Sequence, residues 1–207
     1  MNAPDRPRLQ TPPNPLQPDL FGASSPAPEG LDYRADLLTH EEETELVARL
    51  GELPFEPFDF HGYLANRRVV GFGFRYDYGR REVAAPPPMP AFLEPLRRKV
   101  AAFADHPAEA FAQVLINEYR PGAGIGWRRD KPQFGEVVGV SLLAPCLLRF
   151  RRKLERRWER ASVPIAPRSA YRLAGPSRSV WEHSIAPLDR HRYSITFRAV
   201  AAAVRAA

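Results

Sequence analysis

The run RYSITFR, residues 192–198, carries the chain's most suggestive chemistry. Period-two alternation puts Arg192, Ser194, Thr196 and Arg198 on one strand face and Tyr193, Ile195 and Phe197 on the other. At ~3.3 Å per residue the two arginines stand ~20 Å apart. Long side chains leaning inward could then hold both ends of a small dicarboxylate, because guanidinium forks match carboxylates. Standing alone, such a face is more often a solvated surface than a site. Upstream lie His183 in WEH, and Asn117 and Tyr119, two apart on one face of NEYRPG. GIGWRRDKPQFG, residues 124–135, sets Arg128 and Arg129 in front of Asp130. Those residue types fit either a basic loop that grips phosphate or a metal site in which one ligand has been replaced.

Two other segments could meet a polyanion. RRVVGFGFRYDY offers Phe72, Phe74, Tyr76 and Tyr78 as stacking surfaces for an unstacked base, with Arg67, Arg68 and Arg75 as phosphate partners. Alternating aromatics also describe a half-buried strand. RFRRKLERRWER sets Arg149, Arg151, Arg152, Lys153, Arg156 and Arg157 against Glu155 and Glu159. This is either a solvated hairpin of mixed charge or a phosphate-tracking edge whose affinity falls steeply with salt.

Positioning these residues requires a scaffold, and the pattern points to strands. From Ala112 onward, AQVLINEY, VVGVSLL, CLLRFRRK, RWERASV, SAYRLAG, SVWEHSI and RYSITFRAV follow one another, bounded by Gly and Pro and without helices between them. That spacing predicts an antiparallel sandwich or barrel. Before it, THEEETELVARL predicts a helix capped by Thr39 with Glu42 completing a capping box. A second helix is predicted over 92–103, with Pro95 in its first turn and Arg97, Arg98 and Lys99 outward. The stretch between the two helices has glycines that permit a turn or bulge.

The whole chain has 207 residues, a net charge of +6 and 23 prolines. Eight prolines fall in residues 1–30, which predicts an extended or disordered arm, then a folded domain over 31–200 and a tail at 201–207. Cys146 is the only cysteine, so no internal disulfide can form and a reducing, cytoplasmic setting is expected. No apolar run reaches the ~18 residues of a membrane span, and a monomer is the expected state. In the arm, QPDLF (Gln17, Leu20, Phe21) either docks on the domain itself or acts as a hook. It resembles the Gln-x-x-Leu-Phe peptide by which bacterial DNA-repair proteins attach to the sliding clamp.

Taken in order, INEYRPGAGIGW-x-x-D-KPQFG, VVGVSLL, PRSAYRLAGPSR, WEH and RYSITFR resemble the AlkB family of iron(II)- and 2-oxoglutarate-dependent dioxygenases over about residues 31–200. The resemblance implies a mainly β fold with flanking helices, a double-stranded β-helix (jelly-roll) core and an N-terminal nucleotide-recognition lid. It implies Asp130 and His183 as metal ligands, with Asn117, Tyr119, Arg192, Ser194 and Arg198 for 2-oxoglutarate. The family's His-x-Asp pair would need histidine at 128, where this chain has Arg128. A guanidinium stays protonated and offers no lone pair to a metal. An ion pair between Arg128 and Asp130, in the cation's place, is therefore expected. Pro132 stands where many DNA-repairing members carry an acidic residue that contacts the base. The implied function is oxidative dealkylation of nucleic-acid bases. The alternatives are a catalytically silent nucleic-acid-binding homologue, or an oxygenase of the same fold acting on protein or a small molecule.

Overall fold

Thr39 sets the start of the first helix. Its hydroxyl accepts from the Glu42 amide at 3.2 Å, and the Glu42 carboxylate accepts from the Thr39 amide at 2.9 Å. These two bonds satisfy amides that have no partner within the helix, and α1 runs His40–Gly51. The second helix, α2, spans Glu94–Ala104. It begins later than the spacing predicts, because Pro95 supplies no amide and the chain enters through a tight 3-10 turn at Ala91–Leu93. Asp105, at φ 56°, ends it in the left-handed region. Lys99 then ties α2 to α1 through the Glu42 carboxylate, at 2.5 and 2.7 Å.

The computed structural model describes residues 27–60, 63–73, 75–77, 82–84 and 87–201. Its strands are β1 (Leu31–Arg34), β2 (Glu56–Phe60), β3 (Tyr63–Gly73), β4 (Arg75–Asp77), β5 (Glu82–Ala84), β6 (Gln113–Tyr119), β7 (Ile125–Arg128), β8 (Phe134–Leu142), β9 (Cys146–Leu154), β10 (Arg157–Ile165), β11 (Ala170–Leu173), β12 (Glu182–Ile185) and β13 (Arg192–Val200). A short helix, α3 (Gly175–Ser179), precedes β12. Pro176 starts that helix, so the strand predicted from Ser179 begins only at Glu182.

Two antiparallel sheets face each other in the jelly-roll manner. The larger has the order β1-β11-β8-β13-β6-β3-β2 and the smaller β10-β9-β12-β7, while β4 and β5 pair separately. The segment whose glycines permit a turn or bulge begins as the long strand β3, which ends at Gly73 with a positive φ of 77°. It pairs with β6 from Arg67 opposite Tyr119 to Gly73 opposite Gln113. Alternation of Val70 and Phe72 with smaller residues drives the pairing, and the Leu115 side chain fills the space beside Gly71.

Each face of the larger sheet has its own core. On one side Leu46 and Leu50 of α1 and Leu96 and Val100 of α2 pack on Val114, Ile116, Val140, Tyr193, Ile195 and Phe197. Between the sheets, Tyr119, Cys146, Leu148, Phe150, Tyr171, Trp181 and Ile185 form a second cluster. Fully burying one such aliphatic or Phe side chain contributes ~1.5–3 kcal/mol, so the cores hold the sheets at a fixed spacing. No helix among the described residues is long and apolar enough to cross a membrane.

Candidate active-site cavity

The cavity opens between the two sheets, with a volume of about 520 Å³. Strand alternation fills it. β3 contributes Arg67, β6 contributes Asn117 and Tyr119, and β13 contributes Ser194, Thr196 and Arg198. The smaller sheet adds Arg128 from the end of β7 and His183 from β12, with Asp130 just beyond β7. The polar face of RYSITFR is thus turned inward: Arg192 and Ser194 are buried, as are Ile195 and Phe197 on the opposite face.

Gly139 makes room for a residue that pattern reasoning missed. A Cβ there would stand 2.3 Å from Cζ of Tyr171, its register partner across β8 and β11. Only glycine lets the Tyr171 ring lie flat over the strand and reach the cavity. Burial pushes its phenol pKa up, the nearby Arg192 charge acting against that. Phe58 of β2 was missed too, because nothing in EPFDF marks it apart from a core residue. A tyrosine inside the quoted motif PRSAYRLAG was the available signal for Tyr171.

The arginines differ in what holds them. Nε of Arg192 donates to the Ser141 hydroxyl at 3.1 Å and its Cζ lies 5.0 Å from the Tyr119 ring centroid, but both Nη atoms are buried without partners. Arg198 donates through Nη1 to Gln113 Oε1 at 3.0 Å and leaves Nε without a partner. Arg67 lies 4.3 Å from the Phe58 ring centroid, and its Nε also lacks a partner. Burial is the first cause lowering the Arg67 and Arg198 pKa values, and the Arg128 charge adds to it in both.

Arg128 does not pair with Asp130 as expected. β7 ends at Arg128, so Asp130 leaves the strand and the shared-face argument no longer applies. The Arg128 guanidinium instead lies over Phe58, with Cζ 5.7 Å from the ring centroid. Asp130 Oδ2 and His183 Nδ1 are both buried without hydrogen-bond partners. Burial holds the His183 pKa below its ordinary value; Asp130 opposes this, and Arg128, Arg198 and Arg67 reinforce it. His183 stands directly opposite Arg128 in the β12–β7 register.

This donor set can be weighed against an iron centre. Asp130 and His183 are two unsatisfied groups of the kind a cation takes up, whereas the facial arrangement needs a third ligand. Among the described residues no three His, Cys, Asp or Glu side chains come together to hold a metal. His106 and His191 are turned away, facing Glu136 at 3.1 Å and Glu118 at 3.3 Å. The residues present do not fit a complete iron site. They do fit a carboxylate ligand, since several buried donors lack acceptors.

The other predicted residues are dispersed. β3 alternation sends Arg67 into the cavity and Arg68 to the helix side, where it donates to Glu118 at 2.9 Å and to the Phe55 carbonyl at 2.7 Å. Neither is the exposed phosphate partner expected of a lid. Phe72 packs against the helix-side core. Arg75 and Tyr76 belong to β4, while Phe74, Tyr78, Gln17, Leu20 and Phe21 lie outside the described residues.

β9 and β10 form the basic hairpin on the outside of the smaller sheet. There Arg151 is stacked between two indoles, with Cζ 4.5 Å from the Trp127 and 4.5 Å from the Trp158 ring centroids, and Arg149 lies 5.4 Å from Trp127. Arg152 points to the other face, toward Glu159 and Trp181. Lys153, Arg156, Arg157 and Trp158 are exposed.

A family model described as "2OG-Fe(II) oxygenase superfamily" matches residues 30–198. Among curated proteins, the chain is 27% identical over 180 residues to "Alkylated DNA repair protein ALKBH8 homolog" of Arabidopsis thaliana, covering 75% of this chain and 50% of that protein. It is 26% identical over 171 residues to mouse "tRNA (carboxymethyluridine(34)-5-O)-methyltransferase ALKBH8", covering 77% of this chain and 24% of that protein. The chain therefore spans half the length of the first relative and about a quarter of the second. Among solved structures, that of OsALKBH1 superposes with a TM-score of 0.61 at 17% identity, covering 82% of this chain and 97% of that one. A Pseudomonas putida prolyl-4-hydroxylase gives 0.56 at 15% identity, covering 83% and 93%. At such identities the structures share the fold alone.

Proposed function

The chain belongs to the 2OG-Fe(II) oxygenase superfamily, and on that premise we propose that it is an AlkB-like protein directed at nucleic acid, with oxidative dealkylation of bases as its reaction class. The family's cofactor and cosubstrate are Fe(II) and 2-oxoglutarate. The observation that carries the reading is the cavity that holds Asp130 and His183 beside Arg198 and Arg67, whose Nε atoms lack acceptors among the described residues, with Arg192 buried against Tyr119. In this reading Arg198 and Arg192 receive carboxylates, Ser194 and Asn117 orient the ligand between them, and Tyr171 closes the inner wall. Relatives named for alkylated-DNA repair and tRNA modification support a nucleic-acid substrate. So does the Trp127–Arg151–Trp158 stack with its exposed cations, since flat aromatic and guanidinium faces suit unpaired bases and lysine suits phosphate.

Arg128 favours a second reading, in which the protein binds nucleic acid without turning it over. A sliding-clamp contact through Gln17, Leu20 and Phe21 is part of the proposal, as are a cytoplasmic setting and a monomeric state. The test incubates N-methylated single-stranded DNA and RNA oligonucleotides with the protein, Fe(II) and 2-oxoglutarate, and follows succinate and demethylated product. Turnover by the unmodified chain supports dealkylation; turnover only by Arg128→His supports the silent reading. Absence of binding to any oligonucleotide at low salt removes nucleic acid altogether.

A further inference from the structure

We infer that the cavity takes a small dicarboxylate without a metal ion, with Arg128 supplying positive charge at the position across from His183. Three guanidinium groups, those of Arg67, Arg128 and Arg198, line the space, and Asp130 is the only carboxylate among the described lining residues. Arg192 lies beneath Tyr119. None of these four arginines forms an ion pair with a described carboxylate. Arg68, Arg151, Arg152, Arg168 and Arg172, in contrast, each do.

Burial of a cation without a paired carboxylate is costly. Several such groups around one cavity make an anion the species that lowers the energy most. The orphaned donors say which anion. Nε of Arg67, Nε of Arg198 and both Nη atoms of Arg192 have no acceptor, and planar N–H pairs favour carboxylate oxygens. Arg198 on β13 and Arg128 at the end of β7 reach the cavity from opposite sheets, which suits a ligand with an acidic group at each end. The cavity, about 520 Å³, has room for such a molecule.

Independence from metal follows from the same charges. A divalent cation beside Asp130 and His183 would share the cavity with Arg128, Arg198 and Arg67, and among the described lining residues only Asp130 would offset the repulsion on the protein's side. Among the described residues the Arg128 side chain has no ion pair to give up before it meets a ligand, and its guanidinium lies over the Phe58 ring. The inference uses the cavity of the proposed function but needs no nucleic acid.

The experiment is calorimetric titration of the full chain with 2-oxoglutarate and with succinate, in EDTA and again with Mn(II). The expected result is binding in EDTA with a Kd that Mn(II) changes by less than about threefold, and a loss of about tenfold or more in Arg128→Gln. Arg128→His is expected to make binding depend on Mn(II), and circular dichroism checks that both variants fold. Binding that requires Mn(II) in the unmodified chain, absence of dicarboxylate binding, or equal affinity in Arg128→Gln would each overturn the inference. Competition by equimolar inorganic phosphate would also overturn it, since it would reveal a general anion site. Failure of dealkylation or of oligonucleotide binding bears on the proposed function alone.

Discussion

Arginine serves two opposite purposes in this molecule. Around the helix layer and along the sheet rims its charge is matched: Arg168 meets Glu43 at 3.0 Å, Arg172 grips Glu136 through two nitrogens at 2.7 and 2.8 Å, and Arg151 meets Glu182 at 2.6 Å. In and behind the cavity wall, Arg67, Arg198 and, against Tyr119, Arg192 retain buried donors with no acceptor among the described residues. The first group stabilises the protein as it stands. The second group costs stability until something negative arrives, which is how a binding site differs from a scaffold built of the same side chains.

The sharpest way to break this contrast is to remove one member of each group. Glu43 is buried and accepts from both Arg168 and the Leu143 amide, at 2.8 Å for the latter. Glu43→Ala leaves a cation and an amide unpaired, and urea denaturation is expected to show a loss of about 3 kcal/mol. Arg192→Met should act in the other direction, because an apolar side chain of similar length relieves a buried charge. A gain of about 2 kcal/mol is expected in the same assay, together with loss of 2-oxoglutarate binding. A destabilised Arg192→Met would mean that the cavity arginines are already satisfied, and the comparison would fail.

Smaller effects sharpen the matched side. Thr39→Ala removes one half of the capping box and should lower stability by about 1 kcal/mol, read as a lower denaturation midpoint. Acid titration probes Glu136. Burial pushes its carboxyl up, but the Arg172 hydrogen bonds and charge, with help from His106, bring it below the ordinary value of 4.5. The folded carboxyl then releases its proton more readily than the unfolded one. Its stabilisation is complete above pH 4.5 and fades as pH falls through the lowered value. In Arg172→Gln, stability should depend less on pH in that acid range.

Much of the scaffold could be read from local pattern. The Thr39 capping box and the seven strands after Ala112 are written in residue types whose preferences are local, and the structure has each of them with boundary shifts at Pro95 and Pro176. β3 was harder, because Gly71 imitates a turn until Leu115 on the partner strand fills the gap, whereas Gly73, at φ 77°, does end the strand. The family's fold and the inward face of β13 were legible from motifs. Arg67, Phe58 and Tyr171 were not, because their place in the cavity depends on pairings between strands far apart in sequence. The absence of an Arg128–Asp130 pair was likewise hidden, since it follows from β7 ending at Arg128, two residues short of Asp130.

Cys146 gives the molecule a built-in clock. The residue is buried within the cluster between the sheets, and burial raises its thiol pKa against the pull of Arg192. Since only the thiolate reacts readily, the pace at which a sulfhydryl reagent consumes this one group counts how often the two sheets part. A ligand that bridges them should slow that count without touching sulfur.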